Sequence, residues 1–273
     1  MLESALFYGQ IGLLALVAAC LRYLLMTGTY YSIVCKLFDR KFRKYKINPV
    51  RVPAKSIKSE MTWALLNNLN YAILASITYA LYELGYLKLY FEWHQYGTVY
   101  GLLMIPALLL AHDAYFFWVH YLMHCKPLWD ASHHRIHHQF HNVSPWSAFS
   151  VHPIEGFIEL LLRPVLLMVI PMHPYTVIAS AILTFALNII GHSGYELFPK
   201  NFATSPLTKF SSCATYHYLH HRNCNYNYAL FFNFWDRLMG TMDPEYPAFY
   251  AKTRGTAGTD EQAAVCEVTS AVT

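Results

Sequence analysis

Five histidines fall within nine residues, as His133, His134, His137, His138 and His141, and a similar knot returns at His217, His220 and His221. A further pair, His120 and His124, stands four residues apart. Positions three and four apart share one face of an α-helix. Each of the sets 120/124, 134/137/138 and 217/220/221 therefore turns its imidazoles in one direction. Neutral imidazole is a good ligand for iron, zinc, copper and nickel. Eight ring nitrogens exceed what one first-row ion usually takes, so two ions sharing a site is the economical reading. His152 and His192 stand alone at the edges of apolar segments and are expected as the ninth and tenth ligands. A lone histidine is more often a satisfied polar residue than a ligand, and that is the expectation for His94 and His173. His112, His133 and His141 read as bystanders, of which His133 and His141 are placed to support the ligands.

The pattern excludes several chemistries. There is no H-E-x-x-H of a zinc protease and no H-x-E with a downstream P-C-x-x-C of a zinc deaminase. No Glu-x-x-His pair occurs, which argues against a ferritin-like carboxylate bundle. The six cysteines are scattered without a C-x-x-C, so neither a disulfide framework nor a zinc knuckle is expected. Acidic residues near the histidines are few: Asp113, Asp130, Glu155, Glu159, Glu196 and Asp236. They read as partners of ligands, helix caps or ion pairs. Asp113, Asp236 and Glu196 are the carboxylates expected to orient ligand imidazoles. No G-x-G-x-x-G fingerprint is present, so no nicotinamide site is expected. The net charge of +4 is modest, and no nucleic-acid partner is expected.

The elements that must position these side chains are apolar. Hydrophobic residues make up 55% of the 273, and charged residues only 13%, about half the roughly 25% of soluble domains. Residues 5–26, 61–86 and 97–119 each approach the roughly 20 apolar residues that cross a bilayer. Asn67, Asn68 and Asn70 in the second run are expected to turn inward, because unpaired amides are costly in lipid. Pro106 is expected to bend the third run without ending it. Two shorter runs follow, 157–170 and 175–190. The first reaches only about 21 Å as a helix, so a re-entrant hairpin over 157–191 is expected, with two tilted spans as the alternative. Arg40, Lys41, Arg43, Lys44, Lys46, Arg51, Lys55 and Lys58 crowd the loop after the first span. The positive-inside rule puts that loop in the cytoplasm. Counting spans then brings every histidine set to the same side.

As an ordered set, these residues resemble the fatty acid hydroxylase and sterol desaturase superfamily of membrane di-iron enzymes. Asp113 to His120 with His124 is similar to its first box, and His134-Arg-Ile-His137-His138 to its second. Val151-His152-Pro153-Ile154-Glu155-Gly156 resembles its H-P-x-[DE]-G segment, and His217-Tyr-Leu-His220-His221 its third box. Asn225-Tyr-Asn-Tyr228 and Phe234-Trp-Asp-Arg-Leu-Met-Gly-Thr241 match its ending. The resemblance covers Asp113 to Thr241. It implies two iron ions, O₂ as co-substrate, and electrons from an external carrier, a b-type cytochrome or a ferredoxin with its reductase. It implies oxidation of an unactivated C–H bond of a lipid, to an alcohol or an alkene. Tyr121 replaces an arginine common in the first box. Ala148 to Val151 lacks a histidine that sterol desaturases carry, and Gly191-His-Ser-Gly194 is closer to hydroxylase branches. These departures favour hydroxylation.

The expectation is therefore an all-α integral membrane bundle of about four spans, or three plus a re-entrant hairpin. A cytoplasmic helical cap would hold the dimetal site. Residues 1–111 would form the membrane region with its basic loop at 36–60, residues 112–243 the catalytic part, and residues 244–273 a disordered tail. The function expected is hydroxylation of a sterol or fatty acyl lipid. Desaturation at the same site is the alternative, and transition-metal transport a third possibility. The membrane would be the endoplasmic reticulum in a eukaryote or the inner membrane in a bacterium.

Overall fold

The structure, a computed structural model, describes residues 2–255. Its regular elements are helical, apart from isolated bridges between extended segments. Helix α1 (Leu2–Tyr30) runs into a π-helical stretch, Tyr31–Leu37, and the short α2 (Asp39–Phe42). The chain returns through α3 (Ala54–Asn67) and α4 (Leu69–Glu83), then through α5 (Thr98–Met123), which continues past Pro106. Short helices α6 (Leu128–Ser132) and α7 (Arg135–His138) precede α8 (Pro153–Leu160), α9 (Leu162–Val169) and α10 (Pro174–Gly191). The last three are α11 (Ala214–Arg222), α12 (Phe234–Met239) and α13 (Tyr246–Gly255).

Three stretches, Leu6–Leu37, Thr98–Met123 and Pro174–Gly191, are long and apolar enough to cross a membrane. Leu14 and Leu25 on α1, Leu103 on α5 and Ile178 on α10 point outward, as lipid-facing side chains would. The second run of the sequence is not one rod. It breaks at Asn68 into α3 and α4, and all three asparagines do turn inward. Asn70 donates to Asn67 Oδ1 at 2.9 Å and to the Pro153 carbonyl at 2.8 Å, and Asn68 reaches Cys20 Sγ at 3.6 Å. Helix α4 packs along α1, where Gly12 lets Ser76 come close and donate to the Tyr8 carbonyl at 2.9 Å.

The arms expected over 157–191 form a hairpin, and its turn is fixed by contacts with the α4–α5 connection. Met172 exchanges backbone hydrogen bonds with Lys88 and Tyr90 in the α4–α5 connection. His173 Nε2 lies 3.0 Å from the Phe91 carbonyl, and Tyr100 donates to the Pro171 carbonyl at 2.8 Å. The turn thus meets the start of α5, the end remote from His120. Its first arm is longer than the apolar count suggested, because the helix begins at Pro153 before the apolar run does. At the other end the basic segment meets the end of α10. Ile47 donates to the Gly194 carbonyl and Glu196 to the Tyr45 carbonyl.

The tail is also corrected. Residues 246–255 form α13, whose Tyr246 and Tyr250 are buried with Tyr216 and Leu219 of α11. The rest of the expected tail, residues 256–273, lies outside the described residues.

Candidate metal centre

The last turn of α5, the loop from α6 to α7, the end of α10 and the middle of α11 converge at one end of the bundle. They bring nine imidazoles into two groups. The first comprises His120, His124, His134, His138 and His220, and the second His137, His192, His217 and His221. Within each group the ligand nitrogens all lie within 4.8 Å of one another. Neighbours in sequence diverge: His137 and His138 serve different groups, as do His220 and His221. Successive residues turn about 100° around a helix, so one short helix feeds both groups.

The nitrogens face each other. Nε2 of His124 lies 3.3 Å from Nε2 of His120, 3.0 Å from that of His134 and 3.1 Å from that of His138. Nε2 of His220 is 3.1 Å from that of His138. In the second group Nε2 of His217 is 2.8 Å from that of His192 and 3.0 Å from that of His221. Lone pairs aimed at one another repel unless a cation sits between them. Neutral imidazoles gathered this closely are a donor set that first-row ions favour, and the set fits one ion per group.

Burial keeps these rings unprotonated. It lowers His124 to about 2, His192 to about 3 and His137 to about 4, with neighbouring imidazoles adding to the effect on His124 and His192. His134, His138, His217, His220 and His221 are pushed far below the ordinary imidazole value for the same two reasons. A neutral ring offers one lone pair, and the other nitrogen carries the proton.

That other nitrogen is anchored throughout most of the first group. Nδ1 of His120 donates to the Tyr228 carbonyl at 2.7 Å, Nδ1 of His220 to the Tyr226 carbonyl at 2.6 Å, and Nδ1 of His134 to Glu155 Oε1 at 2.7 Å. In the second group His192 Nδ1 donates to the Asn188 carbonyl at 3.0 Å. Nδ1 of His217 and of His221 has no hydrogen-bond partner among the described residues. An acceptor behind the ring fixes both tautomer and orientation.

Nine of the ten histidines read as ligands from the sequence stand in these groups. His152 stands outside both. It begins α8, its Nδ1 accepts from Ile154 N at 3.2 Å, and its ring lies 4.3 Å from that of His133. The five supporting residues expected from the sequence make no hydrogen bond to a grouped imidazole ring. Asp113 accepts from Phe231 N and Phe232 N, tying α5 to the segment before α12. Glu196 accepts from Thr215 N at 3.0 Å and so holds the first turn of α11. His141 Nδ1 lies 3.1 Å from the His221 carbonyl. Asp236 accepts from Tyr216 Oη, Tyr228 N, Ala229 N and Thr241 Oγ1 at 2.7–2.9 Å. It therefore steadies the carbonyl that His120 uses, one step removed from the ring. Glu155 is the carboxylate that does reach a ring, and its place in the His152-Pro-Ile-Glu-Gly segment was the available signal.

Comparison with known proteins points the same way. The model of the fatty acid hydroxylase family matches residues 105–241. The methylsterol monooxygenase 1 of Gallus gallus is 30% identical over 215 residues, 78% of this chain and 70% of the relative. The lathosterol oxidase of Homo sapiens is 26% identical over 247 residues, covering 88% of this chain and 77% of the relative. A Delta(7)-sterol 5(6)-desaturase of Leptosphaeria maculans is 29% identical over 223 residues; the aligned part is 80% of this chain but 57% of that protein. No solved structure matches the chain.

Proposed function

The chain belongs to the fatty acid hydroxylase family, and on that premise we propose that its two imidazole groups hold a pair of iron ions and that it hydroxylates a C–H bond of a lipid. The observation that carries the proposal is the division of nine neutral imidazoles, eight buried and His124 half-buried, into two neighbouring groups at one end of an apolar bundle. When bound, the metal pair supplies O₂ reduction. The balanced reaction is R–H + O₂ + 2e⁻ + 2H⁺ → R–OH + H₂O, with the electrons from an external carrier, a b-type cytochrome or a ferredoxin with its reductase.

The chain's own residues do the rest. Burial of the imidazoles excludes water from the reacting region and keeps the ligand lone pairs free of protons. Glu155 and the carbonyls of Tyr226 and Tyr228 hold rings in the tautomer that leaves Nε2 toward the ion. A groove of about 440 Å³ opens between α1 and α10, lined by Leu25, Met26, Ile33, Val34, Ile189 and Ile190 among others. Its apolar walls suit a sterol or acyl chain arriving from the bilayer, and Ile190 stands two residues before His192. On this reading the site faces the cytoplasm beside the basic segment. The membrane is the endoplasmic reticulum in a eukaryote or the inner membrane in a bacterium.

Desaturation at the same site is the second reading, favoured by similarity to the Delta(7)-sterol 5(6)-desaturase. It removes two hydrogens from adjacent carbons and yields two waters. Lipid mass spectrometry of cells with and without the protein separates the two. A product heavier by one oxygen supports hydroxylation. One lighter by two hydrogens supports desaturation, and an unchanged lipid profile overturns both.

A further inference from the structure

We propose that Cys224 is a positioning residue for the metal centre, its sulfur accepting the Nδ1 proton of His138 and so turning Nε2 of that ring into the first imidazole group. The inference rests on the two-ion reading above and concerns one side chain that the family motif does not assign.

His138 shares the centre of its group with His124, and of the anchored rings it has the most neighbours. Its Nε2 lies 3.0 Å from that of His134, 3.1 Å from that of His124 and 3.1 Å from that of His220. A neutral imidazole has one N–H, so a ring that turns the Nε2 lone pair inward carries its proton on Nδ1. That proton needs an acceptor in a buried setting. For His138 the hydrogen bond recorded at Nδ1 is to Cys224 Sγ, at 3.2 Å.

A second observation makes this contact part of a pattern. After α11 the chain presents Cys224 Sγ to His138, the Tyr226 carbonyl to His220 and the Tyr228 carbonyl to His120. Every second residue of one short segment therefore backs a different ring of the same group. The segment is itself pinned. Asn227 donates to the Tyr216 carbonyl at 3.1 Å and accepts from Asp243 N at 2.7 Å, and Asp236 accepts from Tyr228 N. Sulfur is a weak acceptor beside a carbonyl or carboxylate. Of the four anchored rings, His138 is thus held by the softest partner at the most central place. That makes its orientation the one most open to change by a single substitution.

The experiment titrates the metal-free full-length protein in detergent with Co²⁺. It follows stoichiometry, the release rate into excess chelator, and the visible ligand-field bands. Three proteins are compared: wild type, Cys224→Ala and Cys224→Ser. Loss of an outer acceptor of this kind lowers metal affinity by about 10- to 100-fold. The expectation for Cys224→Ala is one Co²⁺ released at least about tenfold faster, with shifted bands, while the other ion and the melting of the metal-free protein stay as in wild type. Cys224→Ser keeps an acceptor and should fall between. Wild-type release and bands in Cys224→Ala would overturn the proposal. So would identical behaviour of the Ala and Ser variants, which would make the thiol a packing group. If the wild-type protein does not take up two Co²⁺, the two-ion reading fails and this inference goes with it. A wild type that binds two, beside an unaffected alanine variant, removes the cysteine alone.

Discussion

Glu155 Oε1 lies 2.7 Å from Nδ1 of His134, and both side chains are only 1% exposed. The carboxyl group comes from α8 and the ring from the start of α7, so the contact ties α8 to the first imidazole group. Its other oxygen has no hydrogen-bond partner among the described residues. A carboxyl oxygen behind the ring fixes the proton on Nδ1 and with it the ring's orientation. Glu155→Gln keeps the shape and exchanges the carboxyl group for an amide. It should lower metal affinity about 10- to 100-fold, read as faster loss of one ion per chain during dialysis against a chelator. Metal retention equal to wild type would reduce the contact to a packing role.

His137 and His138 are adjacent yet belong to different groups, so their alanine variants should fail differently. His137→Ala leaves three imidazoles in the second group, whereas His138→Ala leaves four in the first. The smaller group also has fewer anchored rings, with Nδ1 of His217 and His221 unpartnered among the described residues. His137→Ala should therefore lose one ion entirely and turnover with it, while His138→Ala should still bind two, one of them weakly. Elemental analysis of purified protein measures both. Equal stoichiometry in the two variants would contradict the partition into groups.

How much of this was legible in the sequence depends on the range of the interaction. The spacing of His217, His220 and His221 already placed them on one turn, because helix periodicity is local. Which group each ring joins was not legible, since it depends on α5, α7 and α11 converging in space. Glu155 stands among the acidic residues that could partner a ligand, cap a helix or form an ion pair, and it is not singled out because it lies 21 residues from His134 and no periodicity links them. The first arm of the hairpin starts earlier than its apolar count at 157, because the helix begins at Pro153, ahead of the apolar run. Helix α13 was read as tail because its apolar contacts come from Tyr246 and Tyr250, aromatics in an otherwise polar composition.

Helix α8 can approach the α3–α4 break only because residue 156 has no side chain. A methyl group there would overlap the Asn67 amide. Asn67 is held in turn by Asn70, which also donates to the Pro153 carbonyl on α8. Gly156→Ala should cost about 1–3 kcal/mol by overpacking and displace Glu155 from His134. Thermal melting and metal retention should both fall. Combining it with Asn67→Ala should recover part of the loss, because that removes the overlapping amide. Purely additive effects in the double variant would mean that the two positions do not meet.

Acid should destabilise the metal-free protein, and the sign follows from the buried rings. In the unfolded chain an imidazole titrates near 6.5. In the folded chain burial holds His137 near 4, His192 near 3 and His124 near 2. Between those values and 6.5 the unfolded state binds more protons, so stability rises with pH there and is lost as pH falls. The contribution is fully present above about pH 7. Each depressed group takes away at most about 1.4 kcal/mol per pH unit below 6.5, and several act together. Denaturant unfolding of metal-free protein in detergent at pH 7.5, 6.5 and 5.5 should therefore show a loss over the first step and one about threefold larger over the second. Loading the centre with metal should raise stability at pH 7.5 and do little at pH 5.5, because protons on the unfolded rings and on the released ligands compete with the ion. A metal-free protein equally stable at pH 7.5 and 5.5 would mean that the folded rings take up protons as readily as the unfolded ones. They would then not be the dry, neutral ligand set on which the two-ion reading depends.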